Sequence, residues 1–335
     1  MKKSIIKILI WFLPLTAWAQ DAEETVIVEP PSIGPNGLVL SHSFLRDSKI
    51  LIAGEFTTFD GIPAGRIARI DSEGVFDPTF NSKSGANGSV FSTIVQDDGK
   101  ILICGDFTSY NGVVKNKIAR LNDDGSLDVS YNEGEGPDNS VLSMAILPDE
   151  KILIGGSFDF FNGIERKYFA RLNSNGSLDN TFYPGTGVND KVYNISVQQD
   201  GKILIGGDFT SHNGVSVNRI IRLNQDGSLD NSFDIGTGAD NSVKAIAVQS
   251  DGKILIAGDF LSFDGNKINR IARLNNDGSI DASFNSGAGA NNSIWNIVIE
   301  SDGKILIHGS FSTYNGSDKN SLAKLNNDGS LDTSF

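Results

Sequence analysis

Pairs of Asn and Asp side chains recur at a fixed place in this sequence, shortly after a Gly-x-Gly segment. Carboxamides and carboxylates hydrogen bond well to sugar hydroxyls and to peptide groups. The same residue types are the ordinary material of tight turns, so a purely structural role is the alternative interpretation. The candidate ligand-binding pairs are Asp138 and Asn139, Asn189 and Asp190, Asp240 and Asn241, and Asn291 and Asn292.

One position just after these pairs changes its chemistry from copy to copy, while neighbouring positions repeat. Its occupants are Leu40, Phe91, Leu142, Tyr193, Lys244 and Trp295. A position that mixes aromatic rings with a cation is typical of exposed surface rather than of a core. Aromatic rings beside amides and carboxylates suit stacking on a sugar or gripping a peptide. Ordinary drift of surface side chains is the alternative. Phe91, Tyr193, Lys244 and Trp295 complete the predicted binding set.

A calcium loop is the other chemical possibility that the acidic residues raise. The segment Asn122–Asp128 matches the later part of the Asp-rich loops that bind Ca²⁺ through clustered oxygens. The first ligand position of such a loop is Arg120, however, and every copy has Arg or Lys there. A cation at that position repels Ca²⁺ and can pair with the Asp instead. We therefore expect a tight turn with an Arg–Asp contact and no cofactor, with calcium disfavoured.

Catalytic side chains are scarce. The chain has three histidines and one cysteine, which excludes an intramolecular disulfide. Cys104 and His308 occupy a position that is Ala or Gly in the other copies, His212 replaces Phe or Tyr, and His42 aligns with apolar residues, so all four are expected to pack. No nucleophile elbow, His-Glu-x-x-His motif or phosphate loop is present, and no catalytic residue is assigned. A glycosidase or lyase with two carboxylates is the enzymatic alternative.

Composition limits the class of partner. Of 335 residues, 39% are hydrophobic, which is enough for a packed core. Asp and Glu number 41 against 28 Lys and Arg, giving a net charge of -13. Such an acidic protein repels phosphate backbones and anionic headgroups, so nucleic acids and membrane surfaces are not expected as partners.

The first 19 residues have the features of a signal peptide. Lys2 and Lys3 precede an apolar stretch, and Ala17-Trp18-Ala19 supplies the small-x-small pattern of a cleavage site. A membrane anchor is the alternative, but Lys7 and Pro14 interrupt a run that is short for a span of about 20 residues. We expect cleavage after Ala19, no membrane insertion afterwards, and a secreted, periplasmic or cell-surface location.

The rest of the chain is one unit repeated six times. The tetrapeptide Lys-Ile-Leu-Ile begins at residues 49, 100, 151, 202, 253 and 304, always 51 residues apart. The repeats span 30–80, 81–131, 132–182, 183–233, 234–284 and 285–335. Residues 20–29 precede them, where Thr25–Val28 is either an extra closing strand or part of a frayed terminus.

Each unit predicts four short β-strands. In the fourth unit these are Val192–Gln198, Lys202–Phe209, Arg219–Leu223 and Leu229–Phe233, separated by Gly-containing turns. The second has a continuous apolar run, as expected of a strand buried on both faces. Six four-stranded antiparallel units of 51 residues predict an all-β fold, a six-bladed β-propeller. Closure of the ring would cover the apolar faces of the end blades, which an open row leaves exposed.

The pattern Lys202-Ile-Leu-Ile-Gly-Gly-Asp-Phe209, followed by Asn213-Gly214 and by Arg222-Leu-Asn-Gln-Asp-Gly-Ser-Leu-Asp-Asn-Ser-Phe233, resembles the delta-60 repeat family of bacterial exported proteins. The resemblance covers about residues 30–335. It implies a β-propeller and secretion or surface display, but no activity. The expected function is a binding module that recognises an extracellular glycan or protein through the loops between repeats on one face. A carbohydrate-active enzyme and a structural repeat of a surface assembly are the alternatives.

Overall fold

The computed structural model describes residues 34–182 and 184–335, and these form a six-bladed β-propeller. They contain thirty short strands, five in each 51-residue unit, and no helix. Each unit forms one blade, numbered 1 to 6 along the chain. The proposed signal peptide and residues 20–29 lie outside the described residues.

Three strands form the sheet of each blade, in the antiparallel order inner, middle, outer. The inner strands are β1 (Val39–Phe44), β6 (Val90–Val95), β11 (Val141–Ile146), β16 (Val192–Val197), β21 (Val243–Val248) and β26 (Ile294–Ile299). The middle strands are β2 (Ile50–Gly54), β7 (Ile101–Gly105), β12 (Ile152–Gly156), β17 (Ile203–Gly207), β22 (Ile254–Gly258) and β27 (Ile305–Gly309). The outer strands are β5 (Ile67–Ile70), β10 (Ile118–Leu121), β15 (Phe169–Leu172), β20 (Ile220–Leu223), β25 (Ile271–Leu274) and β30 (Leu322–Leu325).

A short hairpin joins the middle strand of each blade to the outer strand. Its two strands are β3 (Thr58–Phe59) and β4 (Ile62–Pro63), β8 (Ser109–Tyr110) and β9 (Val113–Val114), β13 (Phe160–Phe161) and β14 (Ile164–Glu165), β18 (Ser211–His212) and β19 (Val215–Ser216), β23 (Ser262–Phe263) and β24 (Asn266–Lys267), and β28 (Thr313–Tyr314) and β29 (Ser317–Asp318). The sequence predicts only a loop here. Asn213 and Gly214 both adopt positive φ, which is the geometry that tight hairpin turns require.

The predicted fourth strand is reduced to one bridge. In blade 4, Leu229 pairs with Leu223 and no ladder continues from it. The reason is local, because the Asp230 carboxylate accepts hydrogen bonds from the backbone nitrogen and the hydroxyl of Ser232. Such side-chain-to-backbone bonds compete with a sheet ladder.

The core lies between the blades. The middle strands of blades 1 to 5 are buried on both faces, as their apolar runs predict, whereas that of blade 6 is part-exposed on one face. In the interface of blades 4 and 5, Leu204 and Ile220 of blade 4 pack against Val243, Ile254 and Ile256 of blade 5. Each blade therefore depends on the next to cover the forward face of its sheet.

The inner strands converge on a common axis. Each packs against the inner strand of the following blade, from β1 through β26, whereas the outer strands make no comparable contacts with one another. Among the described residues, no comparable packing joins β26 to β1. The expected closure of the ring is thus not made by this part of the chain.

A buried Asp–Arg cluster links each blade to the next. In blade 3, Asp179 Oδ2 accepts hydrogen bonds from Arg171 Nε at 2.8 Å and lies 3.1 Å from Lys151 Nζ. Its Oδ1 accepts from the backbone nitrogen and hydroxyl of Thr181. The Arg171 guanidinium also donates to the carbonyl oxygen of Gln225 in blade 4, at 2.6 Å. The Arg–Asp contact predicted from the sequence is therefore present, and it leaves the carboxylate oxygens occupied by protein donors. That calcium does not bind at this turn stays a prediction.

The pKa of this Asp is well below its usual range in every blade. In blades 1 to 5, burial alone would raise the pKa of the Asp. The hydrogen bonds that its carboxylate accepts from Ser or Thr, Lys and Arg outweigh this effect. In blade 6 the bond from Lys304 is the main cause of the lowered value. The carboxylates are Asp77, Asp128, Asp179, Asp230, Asp281 and Asp332.

We expect the protein to lose stability in acid because of these six groups. Their folded pKa values lie below the unfolded value of about 3.9, so their stabilising effect is present above that pH and is lost as pH falls towards the folded value. The midpoint of thermal unfolding should change little between about pH 7 and 5 and fall steeply below about pH 4. Circular dichroism melts over this range test the expectation, and a midpoint that stays constant to about pH 3 would contradict it.

Candidate functional site

The variable position seen in the sequence is the extra residue of a β-bulge in every blade. In blade 4, Val192 pairs with Gly207 and Asn194 with Gly206, so Tyr193 has no partner in the ladder. The same register shift occurs at Leu40, Phe91, Leu142, Lys244 and Trp295. A bulge residue is released from strand pairing and its side chain is re-aimed. This explains why the position accepts an indole, a phenol or an ammonium group.

These six residues form what we call the bulge arc. Because the inner strands pack side by side around the axis, the bulge residues of successive blades follow one another along one face. Trp295 is 46% exposed and Leu40 39%, whereas the other four are part-buried. The predicted residues Phe91, Tyr193, Lys244 and Trp295 therefore lie at equivalent places on one surface, although not all on adjacent blades.

A glycine at the end of each middle strand makes the bulge possible. A Cβ on Gly207 would collide with the carbonyl oxygen of Lys191, which belongs to the backbone and cannot move aside. The other five glycines of this position, Gly54, Gly105, Gly156, Gly258 and Gly309, meet the same obstacle in their own blades. The close approach of the two strands explains why this position is glycine in all six units.

An acidic residue follows that glycine in four blades and contacts the bulge residue in two of them. Tyr193 Oη donates to Asp208 Oδ2 at 2.5 Å. Burial raises the pKa of the Tyr193 phenol, and the bond to the carboxylate raises it further. One blade further on, Lys244 Nζ lies 2.7 Å from Asp259 Oδ2. The bulge arc thus carries polar groups held in defined positions.

The acidic position varies together with a basic one at the start of the outer strand. Blades with Glu or Asp at the first have Arg or Lys at the second, and blades with Ser at the first have Tyr or Ser at the second. The pairs are Glu55 and Arg66, Asp106 and Lys117, Ser157 and Tyr168, Asp208 and Arg219, Asp259 and Arg270, and Ser310 and Ser321.

The backbone holds the basic position in an unusual conformation. All six residues there have positive φ, including Lys117 at 66° and Arg219 at 71°, although none is glycine. Lys117 Nζ donates to Asp106 Oδ1 at 2.8 Å, and this bond holds the pKa of Asp106 below its usual value. For Asp259, burial would raise the pKa, but bonds from Lys244 and Ser293 keep it lowered. Four blades thus carry one acidic and one basic residue at these two positions, and blades 3 and 6 carry neither.

The Asn and Asp pairs have a structural role in the turn before each inner strand. The Oδ1 atom of the first residue accepts hydrogen bonds from two backbone amides of the hairpin, as Asn189 does from Thr210 and Ser211. Asp138, Asp240 and Asn291 make the same contacts in their blades. Asn139, Asp190, Asn241 and Asn292 each accept a bond from the amide of the following residue. These hydrogen bonds support the interpretation of the pairs as turn residues. Ligand binding by the same exposed residues stays a prediction.

Two clefts lie between blades on the same face. One of about 410 Å³ is lined by Lys117, Asp138 and Phe160, among others. An equivalent cleft of about 300 Å³ lies two blades further on and is lined by Arg219, Asp240 and Ser262. Each combines a cation, a carboxylate and backbone groups in a space of the size that small ligands occupy.

The histidines and the cysteine lie where packing was expected. Cys104 and His212 are buried, and burial raises the pKa of the thiol and lowers that of the imidazole. His42 is part-buried and meets Phe44 edge-on. His308 lies edge-on to Trp295, with ring centroids 5.8 Å apart. This last contact places a second ring beside the exposed indole. The contact was not predicted from the sequence.

The acidic and basic positions beside the bulge arc were not predicted from the sequence. Asp106, Asp208 and Asp259 looked like repeated residues of the middle strand, and Lys117 and Arg219 like the start of the next strand. A signal was available, because the two positions change together between units. Correlated change within one repeated sequence indicates spatial contact in the same way as it does between related proteins.

Comparison with protein families gives one match per blade. A family model described as a domain of unknown function (DUF5122) beta-propeller matches residues 45–80, 96–131, 147–182, 198–233, 249–284 and 300–335. No curated protein matches the chain. In the described residues, no helix has the length and apolar character needed to cross a membrane.

Solved structures with similar folds are β-propellers of low sequence identity. The WD40 beta propeller domain of Doa1 is 17% identical with a TM-score of 0.56, covering 86% of this chain and 78% of that one. Virginiamycin B lyase from Staphylococcus aureus is 16% identical with a TM-score of 0.54, covering 89% and 83%. At such identities the similarity establishes the fold alone.

Proposed function

Because the chain belongs to the DUF5122 β-propeller family, whose description assigns no reaction, we propose that it is an exported binding module for an extracellular glycan or protein. The recognition surface is the face that carries the bulge arc and the two clefts. Propellers host many unrelated activities, so the proposal rests on the site rather than on the fold.

The bulge arc is the observation that carries this proposal. Six equivalent positions differ in chemistry while the scaffold around them repeats, and the bulge frees each side chain from strand pairing. Tyr193 and Lys244 are held by carboxylates, and Trp295 presents an exposed indole. A sugar or a peptide offers both an apolar surface and hydrogen-bonding groups. An exposed aromatic ring can pack on the first, and fixed polar groups beside the ring can bond to the second.

The first 19 residues support the export part of this proposal. The features of residues 1–19 predict a signal peptide, and the resemblance to the delta-60 repeat family supports secretion or surface display. With a net charge of -13, the protein is a poor partner for nucleic acids or anionic membranes. A neutral glycan, or a protein surface that is not acidic, meets no such repulsion.

The enzymatic alternative is less well supported. A glycosidase needs one carboxylic acid with a raised pKa to protonate the leaving group. The pKa values of Asp106 and Asp259 are instead lowered by their donors, and Asp208 accepts bonds from Tyr193 and Ser242. The lowered pKa values of Asp106 and Asp259 suit binding better than general-acid catalysis.

Replacing Trp295 with alanine tests the proposal. We expect about 10–30-fold weaker binding to whichever glycan or protein the wild type selects on an array, as truncation of an exposed aromatic anchor typically gives. The matched control is Val129→Ala, because Val129 is 88% exposed and follows Asp128, which pairs with Lys100 at the opposite end of the middle strand from the bulge. If both variants lost binding equally, or if Trp295→Ala lost none, the assignment of this surface as the binding site would be wrong. Turnover of a polysaccharide by the wild type would favour the enzyme instead.

A further inference from the structure

We propose that the partner is a protein, and that each of the two clefts receives one of its Lys or Arg side chains. The carboxylates of Asp138 and Asp240 are the groups that pair with these cations. The inference rests on the proposed function and narrows it, because it selects a protein with basic side chains over a glycan. It concerns the cleft between blades 2 and 3 and the cleft between blades 4 and 5.

Asp138 and Asp240 occupy a position that is asparagine in the other four blades. An asparagine there uses both ends of its carboxamide. In blade 4, Asn189 Oδ1 accepts from two backbone amides, and its Nδ2 donates to the hydroxyl of Thr210 at 3.1 Å. The same hydroxyl is provided in blades 1, 2 and 6 by Thr57, Thr108 and Ser312. An amide therefore satisfies the local fold, which does not require a charge at this position.

The charge at these two positions is left without a cation. In blades 3 and 5 the hydroxyl residue is replaced by Asp159 and Leu261. The Oδ1 atom of each Asp accepts the same two backbone amides as the asparagines do. Within residues 34–182 and 184–335, neither Asp138 nor Asp240 forms an ion pair. Each carboxylate can therefore accept a further bond from a partner.

The first cleft has an excess of negative charge. Its lining cation, Lys117, is engaged elsewhere, because Lys117 Nζ lies 2.8 Å from Asp106 Oδ1. Glu135, which also lines the cleft, is exposed and adds a second carboxylate to that of Asp138. An ammonium or guanidinium group entering this space is attracted by both.

The second cleft has a similar excess. Its lining cation, Arg219, donates to the backbone carbonyl oxygen of Asp208. Asp240 lines the cleft, and Asp264 accepts the amide of the lining residue Thr237. Burial alone would raise the pKa of Asp240, but bonds from two backbone amides of the hairpin hold it below its usual value. This carboxylate is therefore charged at neutral pH, as pairing with a Lys or Arg requires.

Exposed apolar side chains on the hairpin segments favour a protein over a glycan. Phe160 lines the first cleft and is 44% exposed, and Leu261, 48% exposed, donates its amide to Asp240. Further exposed members on blades 2 to 4 are Val113, Val114, Ile164 and Val215. The fold does not require them, since the position of Val215 is Asn266 in blade 5. Exposed apolar residues rimmed by polar groups are typical of protein interfaces, whereas sugars stack on aromatic rings.

The test uses synthetic peptides in which Lys or Arg is flanked by Leu and Phe, and matched peptides that carry Gln instead. We expect the wild type to bind the basic peptides at least about tenfold more tightly, and less tightly as salt is added, since salt screens the attraction. The double variant Asp138→Asn/Asp240→Asn should lose this preference. The fold should accept both changes, because Asn189 occupies the same position in blade 4 and makes the same backbone contacts.

The matched control is Asp98→Asn/Asp251→Asn, which removes the same two charges. Both residues are exposed, accept a backbone amide, and lie in turns at the opposite end of the middle strands from the bulge. This variant should bind like the wild type. Phe160→Ser and Val215→Asn, which introduce the residue types of blade 5, should each weaken binding about 3–10-fold.

Three results would overturn the proposal. Equal loss in the control variant would show that binding follows net charge rather than the clefts. An unchanged preference in Asp138→Asn/Asp240→Asn would place the basic side chain elsewhere. A wild type without any preference for the basic peptides would exclude such a partner. If the wild type then bound a glycan and lost it with Trp295→Ala, the proposed function would stand and only the protein partner would be wrong.

Discussion

Replacing Asp179 with alanine is expected to lower the free energy of unfolding by about 3–5 kcal/mol. The side chain is 3% exposed and accepts bonds from Arg171, Lys151 and Thr181. Its loss leaves the buried Arg171 guanidinium without its carboxylate, and that group also holds the turn at Gln225 in the next blade. Urea unfolding followed by fluorescence or circular dichroism measures the change.

Two controls separate burial from the mere presence of an ion pair. Arg46→Ala removes a pair with Asp97 in which both side chains are largely exposed, and it should cost less than about 1 kcal/mol. Asp332→Ala removes the equivalent carboxylate of blade 6, where Lys324 stands in place of the Arg and bonds to Glu300, so its effect should be smaller than that of Asp179→Ala. Equal effects at Asp179 and Arg46 would show that the buried cluster contributes no more than an exposed pair.

Replacing Phe209 with alanine is expected to cost about 3–5 kcal/mol, as for other fully buried aromatic residues. Phe209 is 0% exposed and directly follows Asp208, and its carbonyl oxygen accepts the amide of Arg219. The cavity would therefore open next to Asp208 and Arg219, the acidic and the basic residue beside the bulge arc in blade 4. Thermal or urea unfolding measures the stability.

Phe160→Ala is the matched control for this change. Phe160 is 44% exposed on a hairpin strand and should contribute less than about 1 kcal/mol. If Phe209→Ala were as mild as Phe160→Ala, the blade interior would be able to collapse around the lost ring. The fully packed interior on which the bulge and its neighbours rest would then not be required for stability.

The repeat made most of the fold predictable from the sequence. The spacing of 51 residues defined six units, and the apolar runs such as Ile203–Gly207 marked the strands buried on both faces. The fourth strand was predicted longer than it is, because the pattern Leu229–Phe233 looks like a strand until the bonds of the Asp230 side chain are seen. Local hydrogen bonding of this kind depends on three-dimensional geometry and leaves little trace in a hydrophobic pattern.

Closure of the ring is the feature of the fold that the sequence determines least. Whether six blades return to their starting point depends on the small angle between successive blades, which the packing of residues such as Leu204 against Ile254 and Ile256 sets. A periodic sequence determines that the angle repeats but not how large it is. The exposure of Val39 is therefore visible only in the structure.

The candidate site was predictable in part. The variation at Tyr193, Lys244 and Trp295 was visible in the sequence, but its cause, a bulge that repeats in all six blades, was not. The role of residues such as Asn189 was left open between turn and ligand contact, and its bonds to the hairpin amides now account for its carboxamide oxygen. Asp208 was missed because its importance depends on Tyr193, which is 15 residues away in the chain.

The repeated bulge also affects how such a protein can diversify. Because residues like Tyr193 take no part in the ladder, a substitution there leaves strand pairing and the packing between blades unchanged. The six sites are therefore free to change one at a time, each on a backbone that already fits. A scaffold of this design can acquire a new specificity through single substitutions, with little loss of folding stability.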